Sequence, residues 1–444
     1  MRMIYSAWVV ASSLALVSPL IGGGEDSAKS EPGIGGLRAH EWGTFTTLHW
    51  STGSSLSWYQ GGWQLGGSPN AKGVNSVSDL PAFVHRGFAG KSSINGFARM
   101  ETPVIYFYTD KRRKVDVAVT YHNGGKLTEF FPAGNSMLGS LAWNSLELIP
   151  AAEATELIAR LPTDADRPDN HYFQARAVPE AAVVRMVQPI DGEGNQAPDQ
   201  LEKFLFYRGV GSFDTGLNVQ MQSGGTMSLN HYNSAFGMKH VWVVRSTSDA
   251  VRWEKLPVFP AYNSEAALPR VEVSLESHNA GANREASIQA LGASMVAALI
   301  DSGLTAAEAA AMVATWDDQW YEEPGQRVFS IAPQVVIDAI LPLTISPKPE
   351  NIVRVFVHRA EILDPETQQA LERAMAPGTA PKITREAIEK EQLGRFVFGA
   401  IAAVARDVGQ RTTAAYTKRG LEAFVAEDEE VTMAAPPPTR GDAR

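Results

Sequence analysis

Between His40 and about Leu275, apolar residues recur at every second position in short runs. "KVDVAVTY" sets Val115, Val117, Val119 and Tyr121 against Asp116, Ala118 and Thr120, which is the period of a strand with one buried face. Asn123-Gly124 follows, and with "KLTEFF" beyond it predicts a tight hairpin, because those two residues accept the positive φ angles such turns need. "LNVQMQSGGTMSL" repeats the pattern, with Val219 and Met221 before Gly224-Gly225 and Met227 and Leu229 after it. "VIYFY", "KFLFYRG", "HVWVVR" and "RVEVSLE" add runs rich in β-branched and aromatic residues. Many short strands with glycine turns predict an antiparallel sandwich-like domain over residues 40–280.

At about Asn283 alanine becomes abundant and the period moves to that of a helix. Ile288, Leu291, Met295 and Leu299 form one stripe. Thr305 and Glu308 form a capping box, opening a helix that turns Met312, Val313, Trp316 and Trp320 inward and ends at Pro324-Gly325. "RVFSIA" and "IVRVFVHR" predict two strands. Asp364-Pro365 predicts an N-cap with proline in the first turn. A long helix is expected from Thr384, with Ile383 and Ile388 as a hydrophobic staple and Gly409 as C-cap. The fold class is therefore α+β: a β domain at 40–280, then an α-rich domain with a few strands at 281–426, packed on the sheet by its apolar stripes.

The ends change the picture of compartment. Residues 1–24 place one arginine before an apolar stretch from about Ile4 to Ile21, closed by small residues, the layout of an export signal cleaved near Gly22 to Gly24. The stretch is shorter and more interrupted than a spanning helix of roughly 20 apolar residues. The expected location is secreted or periplasmic, with membrane contact only through this segment before cleavage. Residues 25–39 read as a linker and 427–444 as a disordered tail.

Composition narrows the chemistry. There is no cysteine, which removes disulfides, thiolate nucleophiles, Cys-ligated zinc and iron–sulfur clusters. With 44% hydrophobic residues, an ordinary core must hold the fold. A net charge of −10 argues against nucleic acid, whose phosphates need clustered Lys and Arg. H-E-x-x-H, G-x-x-x-x-G-K-[ST] and G-x-S-x-G are all absent.

The blocks "HEWGTFTTL", "RMETPVIYFY", "KFLFYRGVG" and "TWDDQWYEEPGQRVF" resemble those of a family of uncharacterised secreted bacterial proteins. That resemblance spans most of the mature chain and implies no activity, so candidate sites rest on residue chemistry.

Four candidates follow. His40 and Glu41, with His85, Glu101 and His122 as companions, offer imidazole and carboxylate for a divalent cation, the candidate cofactor, or for general-base catalysis. Adjacent strand residues point to opposite faces, so the preferred reading is framework: Trp42 and Phe45 fill the core and Gly43 permits close backbone approach. Asp317, Asp318, Glu322 and Glu323 crowd the negative end of a helix, at a cost of up to about 1 kcal/mol each, and need a positive partner. Arg327 or another arginine is the structural choice; a cation walled by Trp316, Trp320 and Tyr321, or catalytic acids, are the functional ones. Asp191, Glu193, Asn195, Asp199 and Glu202 fall at positions 1, 3, 5, 9 and 12 of a calcium loop, but Gln196 stands where glycine is required. A solvated acidic loop is preferred there. Trp50, Trp58, Tyr59 and Trp63 lie among Gly, Ser and Asn, an arrangement suited to stacking on sugar rings.

Two functions are compatible with this chemistry. The first is an extracytoplasmic ligand-binding or interaction protein, with a glycan or cell-envelope component as partner. The alternative is an extracytoplasmic hydrolase, metal-dependent in one version.

Overall fold

In the computed structural model, residues 33–57, 80–86, 97–122, 125–137, 139–190, 194–222, 224–265, 268, 270–276, 283–393 and 396–407 are described. In chain order the strands begin with β1 (Ile34–Trp50), β2 (Ser55–Leu56), β3 (His85–Arg86), β4 (Ala98–Thr109), β5 (Arg113–Thr120), β6 (Lys126–Phe131), β7 (Asn135–Met137) and β8 (Ser140–Ile149). A short helix α1 (Thr155–Ile158) precedes β9 (Val183–Met186), β10 (Gln200–Glu202), β11 (Leu205–Gly211), β12 (Leu217–Met221), β13 (Thr226–His231), β14 (Val241–Ser246), β15 (Val251–Lys255) and β16 (Arg270–Ser274). Then come α2 (Arg284–Asp301), α3 (Ala306–Asp317), β17 (Gly325–Ala332), α4 (Gln334–Ile340), β18 (Leu343–Ser346), β19 (Pro349–Leu363), α5 (Pro365–Ala374), α6 (Pro381–Lys390) and α7 (Val397–Asp407).

The largest sheet has ten strands in the order β15-β14-β17-β19-β1-β4-β11-β6-β3, with β2 also on β1. Its centre is β1, which is buried on both faces: Leu37, Ala39 and Phe45 enter one apolar cluster, and Trp42 enters another. Burial on both sides suits a central strand. β1 runs parallel to β19, with His40 opposite Val353 and Trp42 opposite Val355, and antiparallel to β4. The sheet thus crosses the 280/281 boundary expected from composition, since β17 and β19 lie inside it, and the described residues from Gly33 onward belong to one compact unit. Residues Ile34 to Ala39, expected as linker, belong to β1.

One face of this sheet is covered by α2 and α3, whose Leu291, Met295, Met312 and Trp316 pack on Trp42, Trp242, Phe329 and Val355. The other is covered by a six-stranded sheet, β10-β9-β8-β5-β18 with β7 on β8, through Val117, Val119, Trp143 and Leu148. A three-stranded sheet, β12-β13-β16, packs Met227 and Leu229 on Val243 and Ile362, and α5 to α7 close over Leu48, Trp50 and Leu363. With 26% helix and 41% strand among the described residues, the chain is α+β with a sandwich of sheets. Among the described residues no helix is long and apolar enough to cross a membrane.

Three local expectations are revised. β5 pairs with β8 and β18 in the smaller sheet, whereas β6 pairs with β11 in the larger; the chain crosses between layers there, and Asn123-Gly124 lies outside the described residues. The long helix expected from Thr384 is divided into α6 and α7, with Gln392 at φ 49° between them. Ile383 is exposed while Ile388 is buried, so no staple forms. The Gly224-Gly225 turn does join β12 to β13, both glycines at positive φ and Met221 opposite Met227.

Candidate functional site

"HEWGTF" is the middle of the central strand. His40 Nδ1 lies 3.0 Å from Glu308 Oε2, and the Tyr108 hydroxyl donates to Glu308 Oε1 at 2.7 Å. Glu308 also closes the predicted capping box, accepting from the Thr305 amide at 2.7 Å. Burial alone would raise its pKa, but the bonds from His40, Tyr108 and the Thr305 backbone bring it below the ordinary carboxylate value. Glu41 faces the opposite layer, where it is fully buried and accepts from the Tyr207 hydroxyl and from Arg354 Nε. A side chain on Gly43 would meet the Phe356 ring at 2.5 Å. Each polar group of this pair is matched to a structural partner, so the pair does not form one site.

Glu101, buried on β4, accepts from the Thr46 hydroxyl at 2.8 Å and pairs with Arg99 at 3.3 Å. His85 sits on the edge strand β3 and reaches Gln200. From β1 to β3 is four strand spacings, or about 19 Å at about 4.8 Å each, so His40 and His85 cannot ligate one ion. His122 is exposed against the Ala339 carbonyl. Among the described residues no group of three or more His, Cys, Asp or Glu is placed to hold a metal.

The acidic helix end has its positive partners inside the protein. Arg327 donates to the Gln319, Trp320 and Glu323 carbonyls, and Arg359 to Gln319. These guanidiniums neutralise the helix terminus, and both bind Glu361, with Arg359 also on Glu323. Asp317 and Asp318 are exposed and outside that network. Trp320, expected as a ligand wall, is packed in the core beside Phe329. Trp50 is likewise buried, under α7; Trp58, Tyr59 and Trp63 lie outside the described residues.

The calcium spacing is occupied by arginines. Asp199 is gripped by Arg185 at 2.6 and 2.8 Å, and Glu202, fully buried, by Arg176 at 2.6 Å and the Tyr172 hydroxyl. Their flanks, β9 and β10, are antiparallel strands, so the two carboxylates serve separate ion pairs instead of one loop. Asn195 is exposed, and Asp191 and Glu193 lie outside the described residues.

A different constellation lines a cavity of about 790 Å³ on the face of β1 opposite His40. Thr47 Oγ1 lies 2.7 Å from His49 Nε2 and 2.7 Å from His358 Nε2. One proton arrangement satisfies both rings, both threonines and the Gly53 carbonyl, with Ser55 Oγ, 3.3 Å from His49 Nδ1, as a further acceptor. Thr215 donates to His358 Nδ1, His358 Nε2–H donates to Thr47, Thr47 donates to His49 Nε2, and His49 Nδ1–H donates to the Gly53 carbonyl. Both rings are neutral in it. Burial lowers the His49 pKa to about 4 and that of His358 to about 3, the latter also through the neighbouring His49.

Asp214 contributes the cavity's carboxylate among the described lining residues, and it already accepts from the Tyr232 hydroxyl at 2.6 Å and the Gly216 amide at 2.7 Å. Phe97, Tyr232 and Val335 are 43%, 45% and 61% exposed, and all three line the same opening. Solvent-facing apolar groups converging on one concavity mark a binding surface.

Sequence reasoning missed these residues. The available signal was a polar residue inside a buried run, His358 within "VRVFVHRA" and His49 after "TFTTL"; what brings them together is pairing between strands more than three hundred residues apart.

No family model matches the chain, and no curated protein matches it. Among solved structures it is similar to the Fcho1 mu-homology domain of Danio rerio with bound Eps15 peptide, at 8% identity over 74% of this chain and 96% of that one, TM-score 0.29. It is also similar to the yeast delta-COP-I mu-homology domain complexed with a Dsl1 WxWxV peptide, at 7% identity over 74% and 98%, TM-score 0.23. Scores this low carry neither fold nor function to this chain.

Proposed function

We propose that the chain is an exported binding protein whose ligand sits in the Thr47–His49–His358 cavity, and that the ligand is a neutral, hydroxyl-rich molecule of the saccharide class. The observation that carries this reading is the pairing of neutral hydrogen-bonding groups with an exposed aromatic rim in one concave space. Hydroxyls both donate and accept, as the imidazole and threonine chain does, and the apolar face of a sugar ring suits Phe97 and Tyr232. The described lining offers no lysine or arginine for an anion.

Hydrolysis is less well supported. Imidazoles with pKa values of about 4 and 3 are weak bases at neutral pH, far from the match that proton transfer favours. Glu41 and Glu101 are held by arginines. Export rests on the leader-like residues 1–24. The shared frame with the resembled secreted family would be the neighbouring strands β1, β4 and β11, which carry three of the four blocks.

Titration calorimetry with soluble neutral glycans and cell-wall fragments tests the reading. Saturable heat with a neutral saccharide is expected, weakened tenfold or more by Tyr232→Ala. No heat across the panel, or an unchanged affinity in that variant, would overturn it.

A further inference from the structure

A second recognition feature lies at the far edge of the large sheet. Arg245 on β14 and Arg252 on β15 are direct cross-strand partners. Directly opposite residues share a face with their Cβ atoms about 5 Å apart, and like charges so placed repel. The arginines buried in the interior are matched to carboxylates, Arg327 and Arg359 to Glu361, Arg354 to Glu41 and Arg99 to Glu101, and the half-buried Arg176 is matched to Glu202. Arg245 and Arg252 are half-buried, yet among the described residues neither has a carboxylate within ion-pair reach. Arg252 donates one N–H to the Glu276 carbonyl.

The surroundings leave space for a ligand. Two clefts, of about 460 and 220 Å³, share Arg245 and Thr247 in their walls, and Arg252 lines the larger. The guanidinium of Arg245 lies over the Gly224-Gly225 turn, where a Cβ on Gly225 would come within 3.2 Å of its Nη1. Positive φ at both glycines keeps that turn bare and lets it approach. On the other side Arg245 is flanked by its cross-strand partner Gln326, an uncharged amide. Asp249 and Glu276 border the larger cleft, and Glu361, Asp364 and Glu391 the smaller, where Glu361 is held by Arg327 and Arg359 and Asp364 caps α5. Asp249 accepts from the Ser248 hydroxyl at 3.0 Å.

We propose that Arg245 and Arg252 form an oxyanion site, taking the phosphate or carboxylate group of a small anionic ligand. A bound oxyanion offsets the repulsion between the two guanidiniums, and their planar forks suit bidentate contact with its oxygens. This site is separate from the histidine cavity, whose His358 on β19 is two strands from β14 and whose His49 on β1 is three.

Calorimetric titration of the full chain with inorganic phosphate and with citrate, against sodium chloride at matched ionic strength, tests it. Saturable heat with at least one is expected, and which one responds separates a phosphate from a carboxylate ligand. Arg245→Gln and Arg252→Gln should each weaken that binding tenfold or more, while the melting temperature in anion-free buffer stays level or rises as the repulsion is removed. If Arg245→Gln unfolds, Arg252→Gln on the edge strand carries the comparison. Absence of saturable heat with both anions, or unchanged affinity in the folded variants, overturns the assignment.

Discussion

Acidification should unfold this protein through the linked histidines before its carboxylates protonate. In the unfolded chain His49 and His358 titrate near 6.5; folded, they are held at about 4 and about 3 by burial. Because the folded values are depressed, the stability they contribute is present above pH 6.5. It is lost as pH falls, since the unfolded state binds the protons first. One pKa unit is worth about 1.36 kcal/mol. At pH 5, about 1.5 units below the unfolded value and still above both folded values, each ring costs about 2 kcal/mol, or about 4 kcal/mol together. Urea denaturation of wild type and of a His49→Gln, His358→Gln double variant at pH 8, 6.5 and 5 measures the effect. His231 and His240, also lowered by burial, remain in both proteins and cancel. The double variant should lose about 4 kcal/mol less than wild type between pH 8 and 5; equal losses would refute the account of two neutral rings sharing one hydroxyl.

Three further outcomes are expected. Glu361→Gln leaves Arg327 and Arg359, both fully buried, short of a counter-charge, which costs about 3–5 kcal/mol. At about 2 cal/mol/K per residue over about 400 residues, that lowers the melting temperature by about 4–6 °C in calorimetry, whereas a shift below about 1 °C would contradict it. Gly43→Val drives a branched side chain into the Phe356 ring and should cost about 1–3 kcal/mol in urea titration, with Gly43→Ser milder. Calcium should leave the melting temperature unchanged, because Arg185 and Arg176 already hold Asp199 and Glu202.

Local rules were readable from the sequence wherever one element decides its own geometry. The alternation of Val115, Val117 and Val119 gives a strand with those residues buried, and both the Thr305–Glu308 box and the Asp364 cap form. Glu308 shows where such reading stops. It was legible as a helix cap, but its second pair of contacts, to His40 and Tyr108, depends on packing between layers. The crossing from β5 to β6 was hidden for the same reason: period two reports a buried face without saying which sheet owns it. Arg359, the second guanidinium on the helix end, reads in sequence as one polar position in an apolar strand. The histidine pair was hidden more deeply, since His49 and His358 belong to strands whose pairing no local pattern encodes.

The parallel seam between β1 and β19 has a consequence for how the chain reaches its native state. Residue 40 meets residue 353 there, so the middle of the largest sheet closes only after the intervening loop entropy has been overcome, and native pairing of such high contact order is slow. Until Leu363 has emerged, β1 lacks one neighbour and exposes a sticky flank, the condition in which strand edges aggregate. A nonsense truncation anywhere upstream of β19 would therefore leave more than a missing C-terminal segment, because it would remove the keystone of the sheet and half of the histidine pair together.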